Sequence, residues 1–200
     1  MYRFDFMRPK SVDEAGKIMA AQAKNGAKLL GGGQSLLPTM KQRLAQPSAL
    51  IALSGLADIN YVRVSGNKVS IGGATLHDTV ARDAALQKLV PGLTYLAGHI
   101  GDPAVRNRGT FGGSVANNDP AADYPAAVLA IGGEIITNKR RIAADRFFEG
   151  LFATALSEDE ILTGWEFTAP KKAGYGKFLQ PASRFAIIGA FVAETDQGVR

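Results

Sequence analysis

The sequence predicts an α+β protein of two α/β subdomains, a small parallel βαβ unit followed by a mixed or antiparallel sheet with helices. In the first part, the short apolar runs 27–30 and 50–53 flank a glycine loop and a short helical segment, which is the order of a parallel βαβ unit. In the second part, the runs 62–64 and 69–71 are separated by Ser-Gly-Asn-Lys, which indicates a hairpin.

The first subdomain, residues 1–55, is predicted to open with a strand and a helix. Met1–Phe6 alternates apolar and polar residues, as a strand with one buried face does. Ser11 and Glu14 have the spacing of a capping box, so we expect a helix to begin there and to end at Asn25-Gly26.

The βαβ unit follows. Ala27–Leu30 is predicted as a buried strand that leads into three consecutive glycines. A short helix is expected over 36–44, where a proline falls in the first turn and its missing N–H costs little. The strand Leu50–Leu53 completes the unit and places the glycine loop at the carboxyl end of the first strand, where open α/β sheets bind ligands.

The second subdomain, residues 56–170, combines helices and strands. Helices are expected at Thr75–Arg82 (capped), at Pro91–His99 and, with Asp123 as N-cap, at Tyr124–Ile131. Residues 101–123 are expected to form a long polar loop. Strands are expected at Glu134–Thr137 and Ile161–Phe167, with Phe147, Phe148 and Phe152 in the core between them.

The last thirty residues begin with a predicted surface turn at Lys171–Gly174, before the run Tyr175–Phe178. An apolar strand is expected at Phe185–Val192. Asp196–Gly198 has the composition of a hairpin turn, and the return strand is expected to be missing.

Composition narrows the chemistry. The formal net charge of +5 favours an anionic partner, but no basic cluster is interleaved with aromatic residues, so no nucleic-acid partner is expected. The chain has no cysteine and two histidines, which excludes iron–sulfur ligation by thiolates of this chain and makes a metal site improbable. We expect no membrane span and, with no signal-peptide pattern, a cytoplasmic protein.

The triple glycine Gly31–Gly33 is the first candidate site. Residues without a Cβ let the backbone adopt positive φ and point successive N–H groups into one concavity, which predicts a diphosphate-binding loop. The segment is not a Walker A loop, because Gln34-Ser35-Leu36 follows the glycines. It also lacks the dinucleotide fingerprint, which needs glycine at the position of Leu36. A simple tight turn before a helix remains the alternative.

A second glycine loop, Gly109–Ser114, lies within the polar stretch. The side chains of Thr110, Ser114, Asn117, Asn118 and Asp123 crowd this connection, as a site for a polyhydroxylated ligand requires. The alternatives are a surface loop and, for Asp123, an ordinary helix cap. No nucleophile with a base is apparent, so we expect no catalytic side chains, and any difficult chemistry needs a cofactor.

These motifs together resemble the FAD-binding medium subunit of the molybdenum hydroxylases, the xanthine dehydrogenase and aerobic carbon monoxide dehydrogenase family with a PCMH-type FAD-binding fold. The resemblance rests on three segments: residues 30–38 with 41–47 behind them, residues 102–114 running into 119–123, and residues 147–162. It extends from Met1 to the end of the chain and implies two FAD-binding subdomains with FAD in the cleft between them. Residues 171–200 would then start a C-terminal flavoprotein domain that is incomplete in this chain.

The resemblance also implies roles for individual residues. The backbone of Gly31–Ser35 would hold the FAD diphosphate, and Thr110, Gly112, Gly113 and Ser114 would make the second phosphate and ribityl contact. Asp123 would accept from cofactor hydroxyls. The full set of implied FAD contacts is Leu30, Gly31, Gly32, Gly33, Gln34, Ser35, Leu36, Ile100, Thr110, Gly112, Gly113, Ser114, Asp123, Leu162 and Lys177. Because of positive φ and close backbone approach, a β-branched residue at Gly32 or Gly113 is expected to abolish FAD uptake and leave the fold largely intact.

The implied partners are a large subunit with the molybdenum cofactor and a small iron–sulfur subunit, in a heterotrimer. Electrons would pass from the clusters through FAD to quinone or NAD. Two alternatives stay open: a stand-alone flavin-dependent reductase or oxidase of the same superfamily, and a non-enzymatic anion-binding module.

Overall fold

The computed structural model describes residues 1–200 and contains eight α-helices and thirteen strands. The helices are α1 (Val12–Gln22), α2 (Leu36–Lys41), α3 (His77–Arg82), α4 (Ala84–Leu89), α5 (Pro91–Gly98), α6 (Pro103–Arg106), α7 (Phe111–Asn117) and α8 (Tyr124–Ile131). The strands are β1 (Asp5–Met7), β2 (Lys28–Leu30), β3 (Ala49–Ala52), β4 (Val62–Ser65), β5 (Lys68–Gly72), β6 (Glu134–Thr137), β7 (Arg141–Ala143), β8 (Phe148–Gly150), β9 (Ala153–Thr154), β10 (Leu162–Thr168), β11 (Lys172–Leu179), β12 (Ala186–Thr195) and β13 (Gly198–Val199). None of the helices combines the length and the apolar character that crossing a membrane requires.

The first sheet is the predicted parallel βαβ unit with one added strand. Its order is β1-β3-β2, and both neighbours run parallel to β3. All four residues of β3 are buried, whereas β2 lies at the edge with Lys28 exposed and Leu29 half-buried. The prediction of a buried strand at 27–30 is therefore wrong in its burial, because only one neighbour covers an edge strand.

Helix α1 packs on this sheet and begins at its predicted cap. The Ser11 hydroxyl accepts from the Glu14 N–H at 3.1 Å, while the Glu14 carboxylate reaches back to the N–H of Lys10 rather than to that of Ser11. Gly26 follows the helical segment with φ of 85°, a left-handed conformation that glycine adopts without strain. The predicted beginning and end of this segment are thus observed.

The second sheet has five strands in the order β4-β5-β10-β6-β7, all antiparallel. Helices α5, α7 and α8 contribute to its core of 24 buried residues, which centres on Trp165, Phe111 and Tyr124. A smaller core of nine residues lies under the first sheet and takes in Leu56 and Ile161. This smaller core combines residues from both sides of position 55. The division into 1–55, 56–170 and 171–200 stays a prediction.

The third sheet, β11-β12-β13, is antiparallel and packs on α5 and α8. The predicted surface turn at Lys171–Gly174 is wrong, because Lys172 already pairs with Glu194 in the β11–β12 ladder. The return strand expected to be missing is present as the two residues of β13. Phe191 and Ala193 point into the core of the second sheet.

Three further local predictions differ from the structure. The polar stretch 101–123 contains α6 and α7 rather than one long loop. Thr75 does not cap α3, because its hydroxyl bonds the backbone of Tyr61 instead. Phe152 is not in the core: it is 61% exposed at the tip of the β8–β9 hairpin with φ of 55°.

Candidate functional site

A cleft of about 570 Å³ opens between the first and second sheets, with the third sheet at its rim. Its lining comes from the carboxyl end of β2 with the triple glycine, from the segment around α6 and α7, and from the β11–β12 turn. Both predicted glycine loops therefore face one cavity.

The first loop presents free backbone donors. None of the five N–H groups of Gly31–Ser35 donates a hydrogen bond to a protein atom. The loop carbonyls are engaged instead, since Gly33 accepts from Leu37 and Gly32 accepts from the Gln34 side chain. A run of unpaired N–H groups before a helix is the arrangement that binds the oxygens of a phosphate group.

Each of the three positions Gly31, Gly32 and Gly33 favours glycine for a different structural reason. A Cβ on Gly32 would lie 2.0 Å from the carbonyl oxygen of Arg108, and one on Gly31 would lie 2.8 Å from Thr110 Oγ1. Only Gly33 has a positive φ, 72°. The expectation of positive φ at Gly32 and Gly113 is thus wrong: close packing of the two loops, not left-handed backbone, requires glycine at Gly32.

The second loop is the first turn of α7. Thr110 is its N-cap, and the Thr110 hydroxyl accepts from the Gly113 N–H at 3.1 Å. The Gly112 N–H donates to the Gly73 carbonyl at 2.9 Å, and the Ser114 N–H to that of Thr110 at 3.1 Å. Since these amides are already paired, the loop offers the cleft the hydroxyl groups of Thr110 and Ser114 rather than N–H groups.

Asp123 is buried at the cleft wall and does not cap α8 with its side chain. Its carboxylate accepts from the Tyr175 hydroxyl and pairs with Lys177 Nζ at 2.8 Å, and both partners lie on β11. Burial and this carboxylate raise the pKa of the Tyr175 phenol above its usual range. Lys177 also donates to the His99 carbonyl at 3.0 Å. It stands behind Asp123 and is the one predicted contact residue that does not line the cleft.

Ile100 and Leu162 supply apolar parts of the lining. The turn that carries Ile100 is held by Arg106, whose guanidinium donates to the carbonyls of Ile100 and Gly101 at 3.1 and 3.0 Å. The predicted residues that do line the cleft are Leu30, Gly31, Gly32, Gly33, Gln34, Ser35, Leu36, Ile100, Thr110, Gly112, Gly113, Ser114, Asp123 and Leu162.

Sequence reasoning missed several lining residues, among them His77, Glu160 and Phe185. Burial acts to raise the pKa of Glu160, but Arg140, the Ser157 N–H and the Thr137 hydroxyl together lower it to about 2. Glu160 is therefore a structural carboxylate at the edge of the cleft. Phe185 comes from the far end of the β11–β12 turn, which no local sequence signal connects with the glycine loops.

Comparison with known families identifies the family of the chain. Residues 2–167 match the family model described as FAD binding domain in molybdopterin dehydrogenase. The chain belongs to this family. The predicted family, the α+β fold and FAD as the cofactor are thereby confirmed.

Individual relatives agree. The chain is 34% identical to the nicotine 6-hydroxylase medium subunit of Paenarthrobacter nicotinovorans, over 94% of this chain and 67% of that protein. It is 37% identical to the carbon monoxide dehydrogenase medium chain of Hydrogenophaga pseudoflava, over 85% and 64%. This FAD-binding chain thus spans about two thirds of the length of the curated relatives that it matches.

The same architecture occurs in solved structures. A carbon monoxide dehydrogenase structure from Hydrogenophaga pseudoflava superposes with a TM-score of 0.90 at 36% identity, covering 96% of this chain and 69% of that chain. Quinoline 2-oxidoreductase from Pseudomonas putida 86 also gives 0.90, at 28% identity, covering 96% and 68%. These relatives are subunits of oxidoreductases, in agreement with the predicted class.

The residues present fit FAD. A diphosphate needs a cluster of N–H donors, and Gly31–Ser35 supplies five that no protein atom uses. A polyhydroxylated linker needs small polar partners, and Thr110 and Ser114 face the same cavity. The apolar lining from Leu30, Ile100 and Leu162 suits flat aromatic rings.

Proposed function

We propose that this chain is the FAD-binding electron-transfer subunit of a molybdenum hydroxylase complex. FAD supplies the redox chemistry, since it can take electrons from one-electron carriers and pass them to a two-electron acceptor. In this proposal the electrons come from iron–sulfur clusters on a small partner subunit, the molybdenum cofactor lies on a large one, and quinone or NAD is the acceptor. We place the complex in the cytoplasm.

The observation that carries this proposal is the run of unpaired N–H groups at Gly31–Ser35 in a chain of the FAD-binding family. The names of the relatives, which include medium subunits of several hydroxylases and dehydrogenases, support the role within a larger complex. These 200 residues contain no cysteine, so none of them supplies a thiolate ligand for an iron–sulfur cluster.

The residues that line the cleft are assigned to separate parts of FAD. The backbone of Gly31–Ser35 binds the diphosphate, while the hydroxyls of Thr110 and Ser114 bind the ribityl chain. Asp123 accepts from a cofactor hydroxyl with the lone pairs that Tyr175 and Lys177 leave free, and Lys177 holds it in place. Ile100 and Leu162 contact the ring systems.

The titratable groups of the cleft favour electron transfer over a stand-alone reductase or oxidase. Burial, together with nearby Arg106, lowers the pKa of His77 to about 4, so its ring is neutral at pH 7. The carboxylates of Asp123 and Glu160 are each engaged by a cation, Lys177 and Arg140 respectively. None of these three side chains is thus poised to exchange protons with a substrate near neutral pH.

The test is to express the full chain with the partners that co-purify with it. We expect a yellow protein whose flavin absorption bleaches when the complex receives its reducing substrate, and no turnover by the chain alone. Turnover without partners would support the stand-alone reductase or oxidase. A colourless protein that takes up no added FAD would overturn both and leave the anion-binding module, which binding of inorganic pyrophosphate would then support.

A further inference from the structure

At Gly32 the two glycine loops meet through backbone, whereas one residue earlier Gly31 lies against the Thr110 side chain. A Cβ on Gly32 would lie 2.0 Å from the carbonyl oxygen of Arg108 and 2.5 Å from the Cα of Gly109. No side chain stands between the loops to set their separation at this point. The packing around Gly109 therefore bears directly on how far the second loop lies from the first at Gly32.

That support is the imidazole of His77. A Cβ on Gly109 would lie 2.5 Å from His77 Nε2 and 2.6 Å from Cδ2, so the ring packs directly against the glycine. The backbone joins the same two residues, because the His77 N–H donates to the Gly109 carbonyl at 3.0 Å. A second backbone hydrogen bond joins the same two segments, from the Phe111 N–H to the Thr75 carbonyl at 2.8 Å.

His77 is in contact with a cluster of buried aromatic rings. Its ring lies 5.4 Å from that of Tyr124, which meets Phe111 edge-on at 5.1 Å, and Phe111 stacks on Trp165 at 5.6 Å. Tyr124, Phe111 and Trp165 are all fully buried. Because close-packed interiors have little free space, the ring of His77 has little room to move when Gly109 presses on it.

The buried imidazole of His77 is unfavourable for the stability of the fold. The side chain is 4% exposed, and its Nδ1 and the Tyr124 hydroxyl are the two buried side-chain polar atoms without a hydrogen-bond partner. A buried polar atom without a partner destabilises a fold, so an apolar residue here would be expected on grounds of stability alone. Burial, together with nearby Arg106, lowers the pKa of the ring to about 4, so the ring is neutral near pH 7 in the chain itself.

We propose that His77 is a positioning residue for FAD, whose ring sets the separation between the Gly31–Ser35 loop and the Gly109–Ser114 loop. This inference rests on the binding of FAD in the cleft, and it concerns the volume of the ring rather than its nitrogens. His77 acts through Gly109 and not by contact with the reacting part of the cofactor.

The test is a double-mutant cycle on FAD affinity, measured by flavin fluorescence titration of the full chain after removal of FAD. Each variant is also tested by thermal unfolding. We expect His77→Ala to weaken FAD binding about tenfold, because the second loop settles into the vacated space. Gly109→Ala should weaken binding at least as much, because the new methyl group meets the imidazole.

The double variant is the decisive test of the proposal. In His77→Ala/Gly109→Ala the new methyl group enters the vacated space, so the double variant should bind FAD about tenfold more tightly than additivity of the two single effects predicts. His77→Leu, which fills a similar volume without any nitrogen, should retain most of the affinity. Gly98→Ala is the matched control, since its Cβ would meet only the methyl of Ala81 at an ordinary 3.9 Å.

Additive effects in the double variant would overturn the proposal. Loss of affinity in His77→Leu with an unchanged melting temperature would also overturn it and would make His77 a hydrogen-bonding FAD ligand. Failure of the proposed function is a different result, because the unmodified chain would then take up no FAD at all.

Discussion

The two glycine loops line one cleft and have similar compositions, but they are built differently. In Gly31–Ser35 no backbone N–H is used within the protein. In Gly109–Ser114 most of them are: the N–H groups of Gly109, Phe111, Gly112, Gly113 and Ser114 all donate to protein acceptors. The first loop is a set of unused donors, and the second is a packed helix start.

The difference shows that glycine serves two purposes in one site. In the first loop it leaves a stretch of backbone open to an anion. At Gly32 and in the second loop it lets backbone approach backbone, as where a Cβ on Gly112 would lie 2.5 Å from the Gly73 carbonyl. Substitutions that affect only the first purpose should change FAD affinity, whereas those that affect the second should change stability as well.

Gly32→Val should have the largest effect, because Gly32 is where the two loops meet. Its Cβ would lie 2.0 Å from a backbone oxygen that cannot rotate away, so the loops must separate. We expect loss of FAD from the purified protein, measured as flavin absorbance per protein, together with a lower melting temperature.

The matched control is Gly174→Val, in a strand position where a Cβ would meet nothing within 4 Å. It introduces the same side chain and should leave the flavin content unchanged. Normal flavin content in Gly32→Val would show that the contact between the loops does not matter for binding.

Lys177→Met should have the next largest effect. It removes the cation from Asp123, whose carboxylate is then buried with Tyr175 as its remaining partner. Breaking a buried ion pair by removing one partner costs about 3–5 kcal/mol, which denaturant titration would detect. Asp123 ends the polar stretch 101–123, which contains the second loop, so stability and FAD affinity should fall together.

Lys171→Met provides the comparison, because Lys171 pairs with Asp196 at 3.2 Å and both side chains are largely exposed. That variant should change stability by about 0.5 kcal/mol or less. Equal effects of the two lysine substitutions would mean that the pair at Asp123 is no stronger than a surface contact.

The sequence predicted those features that depend on neighbouring residues. The Ser11 cap, the stop at Gly26 and the βαβ order around the triple glycine are all local patterns, and the structure contains them. Motif resemblance then supplied the contact residues, fourteen of which line the cleft.

What sequence reasoning missed depends on contacts between distant residues. Asp123 has the position of a helix cap, but two side chains more than fifty residues away bind it. Gly109 needs to be glycine because of His77, thirty-two residues earlier in the chain. Neither relation leaves a periodic or compositional signal, so local patterns indicate that a glycine or an aspartate is present and not what it contacts.

The pH dependence of the free energy of unfolding should show a smaller effect, which reports on His77, the residue packed against the second loop. The unfolded chain protonates His77 near its ordinary pKa of 6.5, whereas burial and Arg106 lower the pKa of the folded state to about 4. The unfolded state therefore binds more protons between these values. Stability contributed by the neutral histidine should fall by about 3 kcal/mol as the pH drops from 6.5 to 4.

His77→Leu should lack this part of the slope, and all other groups titrate as before. The measurement is the free energy of unfolding by urea at half-unit pH steps for both proteins. Parallel curves between pH 6.5 and 4 would mean that His77 is not held neutral in the fold.

Thr110→Val should give the smallest effect and shows most directly that the second loop is a packed helix start. Valine has nearly the shape of threonine but cannot accept from the Gly113 N–H, so the first turn of α7 loses its cap. Loss of an N-cap costs about 1 kcal/mol, which lowers the melting temperature of a protein of this length by about 2–4 °C. Thr110→Ser keeps the hydroxyl and should melt near the unmodified protein. If Thr110→Val weakened FAD binding without lowering the melting temperature, the hydroxyl would serve the cofactor alone, and the contrast between the two loops would fail at this residue.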